Sequence, residues 1–169
     1  MGFWGNLLGG KKLGSETSPE ERTVFNLRLG DIVTYEITDF EVTSKSVYDE
    51  DGYRWTTYGL RDAEKRLWLT VEVDDETEIS MFEEVRLKLG ERVPSSIAFE
   101  GERFDLDEKG RARVATMTTD QPDQDRQVAF WDFSADSGTL LAVEQWGSEL
   151  EVFRGKRIQE HELTIFPGS

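Results

Sequence analysis

Two carboxylates occupy matching runs of this sequence: Glu72 closes Leu69-Thr70-Val71-Glu72, and Glu144 closes Leu141-Ala142-Val143-Glu144. Paired carboxylates can divide acid and base roles when their surroundings hold their pKa values apart. The plainer reading is two polar residues on the solvated faces of equivalent strands. Ordinary values near 4 at both would end the hydrolase reading.

Other reactive types are sparse. Asp105-Leu106-Asp107-Glu108-Lys109-Gly110 opens like a calcium loop, but Lys109 takes the fifth position and Thr116 the twelfth, where oxygen ligands are required. A hairpin turn at Lys109-Gly110 is the expectation there. Asp120, Asp123 and Asp125 lie in a polar run with loop composition, read as solvated rather than cation-binding. His161 is the only histidine and there is no cysteine, so neither a thiolate nor a two-histidine metal site can form. His161 is expected on the surface or edge of a terminal strand. With no Gly-x-Ser-x-Gly elbow and no glycine-rich phosphate loop, no catalytic constellation, metal or cofactor is expected.

The aromatic residues offer a different chemistry. Trp55, Tyr58, Trp68, Trp131 and Trp146 read mostly as core, yet the alternation around Trp55 and Trp68 leaves at least one of them beside polar neighbours. An exposed tryptophan on a small barrel is a platform for a peptide. These five, with Glu72 and Glu144, are the candidate binding residues.

The elements that must position them are strands. An apolar fraction of 37% with five Trp, four Tyr and ten Phe supplies a core for the 169 residues. Ile32 to Tyr35 and Val42 to Tyr48 are β-branched and aromatic, and Asp51-Gly52 is a two-residue hairpin signal. Tyr53 to Leu60 alternates. Leu67, Leu69, Val71 and Val73 share one face of the next strand, with Trp68, Thr70 and Glu72 on the other. Turns at Arg61 to Lys65 and Asp74-Asp75 separate these from Thr77 to Phe82, and Val85 to Leu89 leads on without a linker.

The plan then repeats. Leu87-Lys88-Leu89-Gly90-Glu91-Arg92-Val93 echoes Leu27-Arg28-Leu29-Gly30-Asp31-Ile32-Val33 at an offset of 60, which grows to 72 at the glutamate runs. The segment Thr118 to Arg126 is read as the loop that absorbs most of the difference. Strand signals continue at Ile97 to Phe99, Arg103 to Leu106, Arg111 to Met117, Gln127 to Phe133, Thr139 to Trp146 and Glu149 to Phe153, with turns at Asp136-Ser137-Gly138 and Gly147-Ser148. Ile158 to Phe166 is a final strand expected to pair back and close the sheet. The fold class is therefore all-β: a tandem duplication of small five- to six-stranded partly open barrels, SH3-like or OB-like, packed with pseudo-twofold symmetry, or one sandwich of that symmetry. The units are a leader and linker over 1–22, a first repeat over 23–86 and a second over 87–169.

In the leader, Phe3 with Leu7 and Trp4 with Leu8 are spaced to share one side of a helical turn ahead of Lys11 and Lys12. A frayed end or a flap on the barrel competes with contact to a partner or to the inner face of a membrane. Ser18-Pro19-Glu20-Glu21 matches a capping box delivering Val24 and Phe25 into the first strand.

The net charge of −15, from 35 acidic against 20 basic residues, opposes nucleic-acid binding, which needs Lys and Arg to displace counterions from phosphates. No run approaches the roughly 18 apolar residues of a membrane span, and the leader does not have the order of a secretory signal. The cytoplasm is the expected compartment.

Leu29-Gly30-Asp31-Ile32-Val33, Trp55-Thr56-Thr57-Tyr58-Gly59-Leu60 and Trp68-Leu69-Thr70-Val71-Glu72 together resemble the prokaryotic family called domain of unknown function 4178, over roughly residues 27 to 86. The second half looks like a diverged copy, with Gly90-Glu91 and Trp131-Asp132-Phe133 in the equivalent places. Family members tend to carry an acidic residue where this chain has Thr57. The resemblance implies no activity, but an association with bacterial membrane-stress proteins. The expected function is a non-catalytic module that binds a protein partner, with a barrel holding a small ligand between its copies as the alternative.

Overall fold

The computed structural model describes residues 20–169. Phe3, Trp4, Leu7 and Leu8 lie outside them, as does Ser18 of the expected capping box. Strand β4, Arg66–Val73, shows how the chain is built. Leu67, Leu69 and Val71 are buried on one face, while Trp68, Thr70 and Glu72 are half-buried on the other. Because side chains two apart share a face of the pleat, both faces of this strand are covered, but by different surroundings.

The other strands are β1 (Ile32–Tyr35), β2 (Thr38–Glu50), β3 (Tyr53–Arg61), β5 (Thr77–Val85), β6 (Ser96–Phe99), β7 (Glu102–Thr118), β8 (Gln124–Ala135), β9 (Leu140–Trp146), β10 (Glu149–Ile158) and β11 (Leu163–Phe166). Helical structure among the described residues is confined to the 3-10 turn Glu160–Glu162, and no helix there is long and apolar enough to cross a membrane. The fold is all-β.

The strands close into a ring of eight, β2-β3-β4-β5-β10-β9-β8-β7, because β7 pairs back onto β2 from Ser44↔Thr118 to Asp49↔Arg113. Closure pairs both edges of the ring strands and leaves only the four-residue strands β6 and β11 as edges, which limits the surface that invites aggregation. All neighbours are antiparallel. One edge of β2 carries two partners in succession: β1 along Thr38 to Glu41, then β7 along Ser44 to Asp49. Against β3 the register of β2 slips between Val42 and Ser44, a bulge that bends the strand where it changes partner. Strand β7 behaves in the same way. It pairs β6 along Glu102 to Asp105 and β2 along Arg113 to Thr118, and its register against β8 slips between Leu106 and Glu108.

Outside the ring lie two apolar clusters, the first of which also takes Ile158 and Leu163 from the end of the chain. Tyr58, Leu60, Leu69 and Met81 meet Val33 and Phe40 in one; Phe133, Leu141, Val143 and Val152 meet Ile97 and Phe104 in the other. Burying an aliphatic or aromatic side chain of this kind contributes about 1.5–3 kcal/mol. A third cluster, Tyr48, Ala112, Val114, Val128 and Phe130, fills one part of the ring interior.

Several local expectations are corrected. Lys109-Gly110 is not a turn, since β7 runs through it and Gly110 pairs with Phe130. A Cβ at Gly110 would strike the Glu50 carboxylate and lie 3.0 Å from the Phe130 ring, so clearance explains this glycine. The reversal falls instead at Glu100-Gly101, with φ of 49° and 79°. The loop after β7 spans only 119–123, because β7 runs on to Thr118 and β8 starts at Gln124. Residues 86–95 are irregular, with Leu87, Leu89 and Val93 packed on the second cluster. Val24 and Phe25 form a turn before β1, which buries Val24 and leaves Phe25 exposed. The stretch Ile158 to Phe166 is divided: Ile158 ends β10, His161 sits exposed in the 3-10 turn, and β11 pairs with β1 from Ile32↔Phe166 to Tyr35↔Leu163.

Candidate functional site

The inward faces of the ring strands enclose a cavity of about 610 Å³. Its wall has three kinds of surface. The first is aromatic: Tyr48 stacks on Trp55 with centroids 5.1 Å apart, Phe130 meets Trp55 edge-on at 5.4 Å, and Trp68 meets Phe153 edge-on at 5.1 Å. Such pairs hold rings rigidly, each contributing about 0.5–1.5 kcal/mol beyond burial. The second is a band of hydroxyls, Ser46 with Thr116 at 2.9 Å and Thr57 with Thr70 at 3.0 Å.

The third surface is acidic. The Glu144 carboxylate accepts from the Tyr48 hydroxyl at 2.7 Å through one oxygen and from Trp146 Nε1 at 3.3 Å through the other. Burial pushes Glu144 up to about 7, against the opposing effect of the Tyr48 hydrogen bond and with Glu151 adding to the rise. Glu72 accepts from the Tyr53 hydroxyl at 2.5 Å. Asp132 is exposed by surface area to the cavity, yet protein is dense around it. This enclosure, followed by the charges of Glu108, Glu144, Glu72 and Asp107, pushes its carboxyl up to about 7. Glu151 is raised by burial and by Glu84.

The basic side chains of the wall are three arginines, all on its exposed rim. The Arg126 guanidinium lies 4.8 Å above the Trp146 ring and that of Arg66 lies 5.5 Å above Trp68. Arg157 pairs with Glu78 at 3.7 Å. Among the described residues no cluster of acidic and imidazole groups has metal-binding geometry.

Of the residues singled out by sequence, Trp55, Trp68, Glu72, Glu144 and Trp146 line the cavity together. Tyr58 does not: it points to the opposite face of β3, 1% exposed, in the first apolar cluster. Trp131 likewise packs against the second cluster, and its neighbours Phe130 and Asp132 face the cavity in its place. Tyr48, Tyr53, Asp132 and Arg126 were not foreseen. Tyr48 and Asp132 each sit one position from a residue of the opposite face, and only the strand's facing tells them apart.

An all-β ring with a polar, aromatic-walled interior is the class that fold and site define. The chain belongs to the family described as Domain of unknown function (DUF4178), which matches residues 28–160. It is similar to an uncharacterised protein of Aquifex aeolicus (strain VF5), 27% identical over 186 residues that cover 99% of this chain and 99% of that one. An uncharacterised protein of Mycobacterium tuberculosis (strain ATCC 25618 / H37Rv) is 27% identical over 146 residues, covering 82% of this chain and 70% of its own length. No solved structure matches the chain.

Proposed function

We propose that the chain is a non-catalytic binding module that holds a small ligand inside its eight-stranded ring. The observation behind this reading is the cavity of about 610 Å³, within the range of roughly 300–1,000 Å³ usual for small-molecule sites. Tyr48 and Trp146 each donate to one oxygen of Glu144, which fixes the carboxylate in the wall while each oxygen keeps acceptor capacity for a ligand. The value of about 7 at Glu144 is the departure from ordinary titration that a hydrolase would need, but burial is its chief cause.

The ring also supports descent from a duplicated SH3-like or OB-like unit. Where the halves meet, β5 and β10 pair with Ile79 opposite Ile158 and Val85 opposite Val152, and Phe82 faces Gly155 at the centre. Under an offset of 73 residues these pairs exchange, as they would across a twofold axis. Gly30 and Gly90 of the echoed runs both take positive φ, 93° and 80°.

A thermal-shift screen of metabolite classes against the full chain, followed by tryptophan fluorescence of the hits, tests the binding reading. Ligands that stabilise the chain should perturb Trp55, Trp68 or Trp146; a screen in which no compound does so rejects it. One observation favours a protein partner as a second reading. Ile37 is 101% exposed at the tip of the β1-β2 hairpin and holds φ at 60°, so an apolar side chain is displayed where a β-branched residue is strained.

A further inference from the structure

We propose that the ligand of the ring is a small organic cation, an aliphatic amine bearing one or more ammonium groups. The inference rests on the cavity being a ligand site and adds the chemistry of its occupant. Eight carboxylates line the wall against three arginines, and they project from β4, β5, β7, β8, β9 and β10, so the negative charge surrounds the space instead of lying on one side.

The arginines offset only part of that charge: Arg126 and Arg66 act on Glu151 from the rim, against its burial and the charge of Glu84. Arg126 and Arg66 are spread over indole faces at the rim, and Arg157 is committed to Glu78. Among the described residues no ion pair involves Glu72, Glu108, Asp132, Glu144 or Glu151. An anion entering here would meet the repulsion that these carboxylates already exert on Asp132. A neutral ligand would leave their charges unpaired.

A second, independent observation is the behaviour of the aromatic wall. Trp146 and Trp68 each present a face to a guanidinium belonging to the chain itself. Those contacts are internal stand-ins for a ligand cation: indole faces attract cations through their quadrupole, and carboxylate with aromatic surface is the combination that recognises alkylammonium groups. Trp55 and Tyr48 supply further flat surface, suited to the methylenes of an alkyl chain. A bare metal ion fits poorly, because it needs converging oxygen ligands and the described acidic groups do not converge in that way.

Binding of an ammonium group would favour the ionised forms of Asp132 and Glu144. Each carries a proton about half the time near neutrality, so uptake of the cation releases protons and strengthens as pH rises.

The experiment is isothermal titration calorimetry of the full chain in 150 mM salt, with 1,4-diaminobutane, choline, 1,4-butanediol, succinate and magnesium chloride as probes. The amines should bind while the diol, the dianion and magnesium do not. Affinity for the diamine should fall at least tenfold from pH 8 to pH 6, with an enthalpy that depends on the buffer's own ionisation. Asp132→Asn and Glu108→Gln, both at water-exposed positions, should each weaken it at least fivefold while circular dichroism is unchanged; unchanged affinity in both overturns the proposal. If the diol or succinate perturbs cavity tryptophans and the amines do not, the cavity reading stands and the cationic one is wrong. Magnesium binding as tight as the diamine's would also overturn the organic cation. If no probe binds, and the wider metabolite screen leaves the tryptophans undisturbed, the cavity itself is not a ligand site.

Discussion

The Tyr48 hydroxyl donates to Glu144 Oε2 at 2.7 Å, joining β2 to β9 although the two strands are not neighbours in the ring. This bond braces the ring from within, and it holds a carboxylate that burial would otherwise force to stay protonated. Replacing Tyr48 by Phe should cost about 1–3 kcal/mol in urea unfolding, since Glu144 loses a partner in a desolvated place. It should also raise the Glu144 pKa above its present value of about 7, because the lost hydrogen bond lowers it. Carbon-13 carboxyl titration by NMR reads that shift directly.

Stability of the unliganded chain should fall as pH rises from about 5.5 to 8.5. Asp132 and Glu144 both titrate near 7 in the fold, well above the value of about 4 expected of the unfolded chain. The unfolded chain thus holds fewer protons across this window, and the contribution is complete below pH 4 and lost through pH 7. For Glu144 the loss is on the order of 2 kcal/mol. Glu144→Gln should flatten the pH dependence, measured as urea midpoints at the two ends of the window.

Asp31 ties both ends of the described chain to β1. It is 2% exposed, accepts from the Arg28 amide and from the Gly168 amide at 2.8 Å each, and stands 2.8 Å from Arg22 Nε. The Arg22 contact lacks hydrogen-bond alignment and acts through charge. Asp31→Ala leaves a largely buried guanidinium without its counter-ion and should destabilise by about 3–5 kcal/mol. A chemical denaturation midpoint checks this, with Asp31→Asn expected to fall between the variant and the parent.

The β1-β2 turn is strained by its own residues. Glu36 and Ile37 hold φ at 47° and 60°, the conformation for which Asn-Gly is suited. Exchanging the pair for Asn-Gly should raise stability by roughly 1–3 kcal/mol. If a partner protein grips Ile37, the same exchange abolishes its capture, so melting temperature and co-purification should move in opposite directions.

Much of the sheet was legible because local chemistry and final structure agree. Asp51-Gly52 turns as expected, with φ of 49° and 97°, and the alternation of β4 survives intact. Glu36-Ile37 could not be foreseen, because its residues contradict the turn they form. Lys109-Gly110 was misread because a glycine needed for clearance inside a strand has the same letter as one needed for a turn. Tyr58 and Trp131, read mostly as core, were also grouped with the candidate binding residues, although each lies on the face of its strand away from the cavity. Ring strands are covered on both sides, so periodicity separates two faces without saying which one borders the cavity. The polar residues Gln124 to Arg126 read as loop, so β8 begins three residues ahead of the expected Gln127.

Closing the ring has a price in time. Ser46 and Thr116 meet across a separation of 70 residues, and Ile79 meets Ile158 at the opposite junction. Neither junction can form until most of both halves exists, so folding is expected on the millisecond-to-second scale of all-β topologies with distant pairings. Until then β2, β5, β7 and β10 carry bare hydrogen-bonding edges that can recruit another chain's strand as readily as their own. A newly made molecule is therefore most vulnerable to misassembly in the interval between finishing its first half and finding its second.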